Sequence, residues 1–206
     1  MSIFYHLARQ LIAHLSEKLN PMNRKQFLLT GFAFSPILAL AEPLAGKKGK
    51  RSASKPFIVD EAKSRFGDVI LFKGVNYNDL KISSKDTGGQ LSVFEYRGIE
   101  KTGPSLHIHL YQDEIFTVTE GRFRFVVGEE THELNQGQTI FLPRGIAHTW
   151  IQLTEVGKLI YFLQPAGKME EFFITLNGLQ QMPTKAEMDR IHAEHGMKSV
   201  GPPLTL

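Results

Sequence analysis

From Phe57 onward the chain is divided into short runs rich in Val, Ile, Phe and Tyr, each bounded by turn residues. The runs read "DVILFKG", "DLKISS", "GGQLSVFEYRG", "EIFTVTEG", "RFRFVVGEE", "HELNQG", "TIFLPRG", "AHTWIQL" and "KLIYFLQP". None is long enough to be a helix, and β-branched and aromatic residues dominate them. Strands this short at this spacing close on one another as an all-β barrel or sandwich. The doublets Gly88-Gly89, Glu120-Gly121, Gly128-Glu129 and Gln136-Gly137 read as hairpin turns. In "RFRF", parity puts Phe123 and Phe125 on one face and Arg122 and Arg124 on the other, without deciding which faces inward. The final stretch is helical. "MEEFFITLNG" sets Phe172, Phe173 and Leu176 on one side, and "TKAEMDRIHAEHG" opens with Thr184 and Glu187 in capping-box spacing.

The N-terminal region has a different texture. "MNRKQFLLTGFAFSPILALAEP" carries a positive start at Arg24 and Lys25, an apolar middle from Phe27 to Leu40, and the small-x-small pattern Ala39-Leu40-Ala41. These are the three parts of a secretory signal spanning residues 22–41, with the apolar run too short for a stable membrane span. A buried helix and an uncleaved anchor are the alternatives. Residues 1–21 precede it as an upstream extension or a mis-called start, and residues 42–55 read as a basic linker. The expected domain is 56–206, with helices from about 168. The signal implies a secreted or periplasmic protein, and a cytoplasmic one if that reading fails.

The formal charge of +3 belongs to the N-terminal region. From Pro56 there are 15 basic against 19 acidic side chains, a net of −4, which argues against a nucleic-acid partner. The chain has no cysteine, so there is neither a thiolate nucleophile nor a sulfur metal ligand. Any metal must be held by nitrogen and oxygen.

His107 and His109 are one residue apart in "SLHIHLYQDEIF", so on a strand they project from the same face. Glu114 follows His109 at an odd spacing and cannot share that face on one regular strand. "LYQD" must therefore turn, and Glu114 opens a new strand with Phe116 and Val118 on its side. His148 begins the strand after the turn at Pro143 and Gly145, in parity with Trp150 and Gln152. Three imidazoles and one carboxylate suit Fe, Mn, Ni, Cu, Co or Zn rather than Ca or Mg. His132, His192 and His195 receive no role, and Trp150 reads more as core than as a substrate platform.

These residues resemble the two motifs of the cupin superfamily. "HIHLYQDEIFTVTEG" fits the first, G-x5-H-x-H-x3/4-E-x6-G, from His107 through Glu114 to Gly121, with Gly103 a loose match to the leading glycine. "GQTIFLPRGIAHTWIQ" fits the second, G-x5-P-x-G-x2-H-x3-N, at Gly137, Pro143, Gly145 and His148, with Gln152 in place of the final Asn. The resemblance implies a double-stranded β-helix (jelly-roll) barrel with C-terminal helices. It also implies that His107, His109, Glu114 and His148 ligate one divalent transition metal ion.

Within that superfamily the chain is similar to the small quercetin-dioxygenase-like group. That likeness implies a dioxygenase for a flavonol-like or enolisable small molecule, with dioxygen as co-substrate. Glu114 would serve as catalytic base as well as ligand, and Phe116, Val118 and Trp150 are the substrate-pocket candidates. A metal-cupin isomerase or lyase, and a non-catalytic binder, use the same ligands and stay open, as does a homodimer. N-terminal sequencing of the exported protein is expected to begin at Glu42. A protein that keeps Met22 to Leu40 in the cytoplasm contradicts the signal reading.

Overall fold

The structure, a computed structural model, describes residues 55–206. The extension at 1–21, the signal at 22–41 and all but the last residue of the linker at 42–55 lie outside the described residues. Eleven strands follow in chain order: β1 (Leu71–Phe72), β2 (Asn76–Ile82), β3 (Ser92–Gly98), β4 (Ser105–His109), β5 (Asp113–Glu120), β6 (Arg122–Val127), β7 (Glu130–Asn135), β8 (Thr139–Leu142), β9 (His148–Gln152), β10 (Gly157–Gln164) and β11 (Met197–Pro203). Three helices accompany them: α1 (Ser84–Thr87), α2 (Met169–Asn177) and α3 (Lys185–Glu194). The strands make two antiparallel sheets, in the orders β1-β2-β3-β10-β5-β8 and β11-β4-β9-β6-β7. The expected all-β architecture is the one observed.

Strand parity builds the core. On β6, Phe123 and Phe125 are fully buried while Arg122 is exposed and Arg124 half-buried, which settles which face points inward. On β5 the inward set is Glu114, Phe116 and Val118. The inner faces meet through aromatic rings: Phe116 of the first sheet lies 5.3 Å from Phe125 of the second, and Tyr96 lies 5.0 Å from Trp150. Each ring removed from water contributes about 1.5–3 kcal/mol, so this double layer of aromatics is the main cohesive element of the barrel.

Of the four expected hairpin turns only Gly128-Glu129 is a tight two-residue hairpin, joining Val127 to Glu130. At Glu120-Gly121 and at Gln136-Gly137 the chain crosses from one sheet to the other. At Gly88-Gly89 the neighbouring strands β2 and β3 are joined by α1, capped by Ser83 and ended by Gly88 at φ +65°. Turn composition signals a reversal, but not whether the next strand joins the same sheet.

Both expected C-terminal helices are present. Helix α2 buries Met169, Phe172 and Phe173. Its Glu170 carboxylate accepts hydrogen bonds from the Ser83 and Ser92 hydroxyls at 2.8 and 2.6 Å, tying the helix to the first sheet. Helix α3 begins at the Thr184–Glu187 capping box. After it the chain forms β11, an edge strand on β4 that "MKSVGPP" does not announce, because Gly and Pro read as loop. Proline is tolerated there because an edge strand has one side free of ladder bonds.

The two departures from the motif have structural reasons. Gln152 is fully buried; its Nε2 donates to the Thr154 carbonyl at 2.9 Å and its Oε1 accepts from the Tyr96 hydroxyl at 3.3 Å. Gly103 sits where a Cβ would lie 1.7 Å from the Trp150 carbonyl oxygen. The obstacle is backbone of a buried strand, which cannot swing aside. Gly103→Ala is therefore expected to cost about 3 kcal/mol or more, whereas Gly178→Ala, whose added Cβ would meet its nearest atom at 3.5 Å, stays within about 0.5 kcal/mol. Urea denaturation of the two variants beside wild type measures the contrast.

Candidate metal centre

Alternation along β4 turns His107 and His109 to the barrel interior, where both are buried. Strand β9 pairs with β4 so that His148 lies directly opposite His107. Glu114 arrives from the other sheet. After His109 the chain turns through Leu110–Gln112, as the odd spacing requires, and β5 opens at Asp113. The site is thus closed by two sheets, with three imidazoles from one and a carboxylate from the other.

One ligand atom from each of His107, His109, Glu114 and His148 lies within 4.8 Å of all the others. His107 Nε2 stands 3.2 Å from His109 Nε2, and His148 Nε2 stands 3.1 Å from Glu114 Oε2. The outer nitrogens explain which tautomers face inward. His107 Nδ1 donates to the Ser105 carbonyl at 2.8 Å, and His148 Nδ1 donates to the Ile146 carbonyl at 3.0 Å. With Nδ1 protonated, a neutral imidazole presents a bare Nε2. His109 Nδ1 faces the Gln112 side chain. Gly167 makes room for Gln112, since a Cβ there would fall 1.6 Å from its Nε2.

Electrostatics agree with this arrangement. Burial, then the neighbouring His148 and His109, push the His107 imidazole well below its ordinary value, so it is neutral at pH 7. Burial also lowers His109. For Glu114 burial acts upward, but His109 and then His148 outweigh it and hold the carboxyl at about 2. The centre therefore presents lone pairs and one negative charge in a dry pocket. Acceptors that converge with too few protons among them lack only a cation, and the donor set fits a divalent transition metal. Such an ion would be held by His107, His109, Glu114 and His148.

The centre opens on a cavity of about 1020 Å³ walled by both sheets, α2, α3 and β11. His107, His109 and Glu114 are in its wall. Phe116 and Trp150 also line it, Trp150 while packed in the core at 5.7 Å from the Phe72 ring. Val118 does not border it. Being four residues along β5 from Glu114, it lies roughly 13 Å away at strand rise, and is fully buried in the core.

Sequence reasoning missed Asn78, Tyr161 and His192, all of which line the cavity. His192 bonds to the Ser199 hydroxyl at 2.6 Å, and its ring lies 6.1 Å from that of His107. Its signal was hidden because β11, which brings Ser199 beside β4, is not legible as a strand. Asn78 had a weak signal, the alternation of Asn76, Asn78 and Leu80, but the run had been placed from Asp79 onward.

One transition metal ion per chain is the expected stoichiometry. His148→Ala should lose most of it by elemental analysis, because removal of one ligand leaves a weaker, water-filled set. Acid should strip the metal from wild type as well. Protons compete for the same nitrogens, and because burial holds His107 and His109 below the ordinary imidazole value, affinity falls only as the pH drops through those lowered values. Equal metal in wild type and His148→Ala would remove His148 from the ligand set.

Parts of the chain are similar to known proteins. Residues 94–162, which hold all four ligands, match the family model of the Cupin domain. An uncharacterized protein of Streptomyces coelicolor is 32% identical over 54 residues, covering 26% of this chain and 51% of the relative. The chain thus spans about half the length of that curated relative. Among solved structures, KdgF from Halomonas sp. aligns at 16% identity over 54% of this chain and 94% of its own, with a TM-score of 0.47. An RmlC-like cupin from Shewanella frigidimarina aligns at 20% identity over 55% and 93%, with a TM-score of 0.46. The family match falls on the strands that position His107, His109, Glu114 and His148, and residues 94–162 of this chain form a cupin domain.

Proposed function

We propose that the protein is a metal-dependent dioxygenase acting on a flavonol-like or otherwise enolisable small molecule. The observation that carries this reading is the wall of the cavity. Phe72, Phe116, Trp150, Phe172 and Phe173 line the space that Glu114, His107 and His109 face. Such walls favour a flat apolar ring, at about 25 cal/mol for each Å² withdrawn from water. A sugar or small polar acid, as the isomerase or lyase alternative requires, would turn instead to the polar part of the wall, where Lys73, Asn177, Gln180 and Asp189 lie.

When bound, a divalent transition metal supplies Lewis acidity and open coordination positions, and a redox-active one couples an enolate to dioxygen. Glu114 is the residue placed to take the proton of the substrate hydroxyl. Phe116 and Trp150 would orient the ring, and the apolar walls reduce the water around the deprotonated substrate. Both oxygen atoms of dioxygen would end in a product whose carbon–carbon bond has opened. The signal pattern at residues 22–41 leads us to place this activity in the periplasm or outside the cell.

The test is oxygen consumption by the metal-loaded protein with a panel of flavonols and enolisable diketones. Glu114→Gln keeps an oxygen ligand but loses basicity, so turnover at matched metal content is expected to fall about 100-fold or more. Unchanged turnover in that variant removes Glu114 as base. No oxygen uptake by wild type across the panel rejects the dioxygenase.

A further inference from the structure

Asn76 and Asn78 project from the same face of β2, and both are buried at 0% and 1% exposure. They differ in what their amides do. Asn76 Oδ1 accepts from the backbone N–H groups of Ile99 and Glu100 at 2.8 and 3.0 Å, and its Nδ2 donates to the Tyr96 hydroxyl and the Glu100 carbonyl at 2.7 and 3.1 Å. That amide is fully committed to holding the β3–β4 connection. Asn78 has one side-chain bond, from the Tyr161 hydroxyl to its Oδ1 at 2.7 Å, and its Nδ2 has no partner. Asn78 and Tyr161 both line the cavity.

An amide N–H buried without a partner costs about 1–3 kcal/mol. Three polar side chains in the cavity wall contain a buried atom without a hydrogen bond: Asn78, His109 and Asp189. His109 has the Gln112 side chain and Asp189 the Ser199 side chain as a hydrogen-bonding neighbour. Asn78 Nδ2 has no hydrogen-bond partner. Reversing the amide does not change this. Nδ2 would then donate to Tyr161, and the hydroxyl hydrogen of Tyr161 would be released instead. In either orientation one N–H or O–H of the pair has no protein acceptor, on two residues that border the cavity. The pair is also held firmly. Tyr161 stacks between Phe94 and Phe116, with ring centroids 5.2 and 5.0 Å away.

We infer that Asn78, seated on Tyr161, is a specificity-determining donor that takes a carbonyl oxygen of the ligand, so that the cavity selects aromatic ketones over ring systems of the same shape without the carbonyl. The inference rests on the aromatic-ligand reading of the cavity made above and adds a substrate feature to it. A site built to hydrogen-bond one group rejects the analogue that lacks it, because the buried donor is then left bare. Uncommitted donors fixed by packing also need no reordering when the ligand arrives.

The experiment uses the full chain loaded with zinc, which is redox-inert, and measures equilibrium binding of flavanone and of flavan, which differ only in the C4 carbonyl. Wild type is expected to bind flavanone about 10-fold more tightly than flavan or better. In Asn78→Leu the two ligands should bind about equally, with flavan held at least as well as by wild type. Retained flavan affinity also reports an intact cavity. If Asn78→Leu does not fold, Tyr161→Phe keeps the stacked ring and unseats the amide, and should lose about 3-fold of the discrimination. Equal binding of flavanone and flavan by wild type, absence of binding of both, or undiminished discrimination in the variants overturns the inference. Discrimination by the zinc protein together with no oxygen uptake by the iron-loaded protein would instead reject the dioxygenase and uphold the Asn78 subsite.

Discussion

A carboxylate buried among imidazoles is the constraint on which the rest of this structure depends. Glu114 is ionised in a dry interior, a state that is costly unless a cation or strong donors surround it. Two of the three neighbouring histidines have committed their Nδ1 protons to carbonyls two residues earlier on the chain, and so turn bare nitrogens inward. Carboxylate and imidazoles therefore cannot fully satisfy one another. A divalent cation would satisfy all four at once, and β4, β5 and β9 bring the four side chains to one point.

The two-sheet architecture makes that convergence rigid. Strands β4 and β9 are hydrogen-bonded neighbours, whereas β5 lies in the opposite sheet. The distance from Glu114 to the histidines is consequently set by how the sheets pack, and the aromatic layer between them sets that packing. Repacking around Trp150 or Phe125 would thus alter the metal centre without touching a ligand. The C-terminal elements complete the chamber. Glu170 anchors α2 through two serine hydroxyls, and β11 extends the second sheet beyond β4, so the cavity is enclosed by parts of the chain distant in sequence.

The polar side chains in and around that chamber differ in what they leave free. Asn76 is saturated by the chain it braces, while Asn78 on the same strand face is not. The contrast separates structural from ligand-directed polarity. It also shows how a mainly apolar cavity acquires direction: one end is fixed by the metal ligands, and the wall supplies a donor with no protein acceptor.

The sequence by itself determined the parts that rest on local rules. Two-residue periodicity put His107 and His109 on one face and Phe123 and Phe125 on another, the odd spacing to Glu114 demanded a turn, and the Thr184–Glu187 spacing marked a helix start. With the motif resemblance, this was enough to assemble the four ligands. Only the tertiary structure decided which turns change sheet, that Gly103 passes against the Trp150 carbonyl, that "MKSVGPP" is an edge strand, and that Val118 is core and not cavity wall. It alone placed Asn78, Tyr161 and His192 beside the ligands. The reason is physical: periodicity fixes which way a side chain points relative to its own strand, but sheet membership and cavity lining depend on which distant strand supplies the facing wall, and no local spacing encodes that.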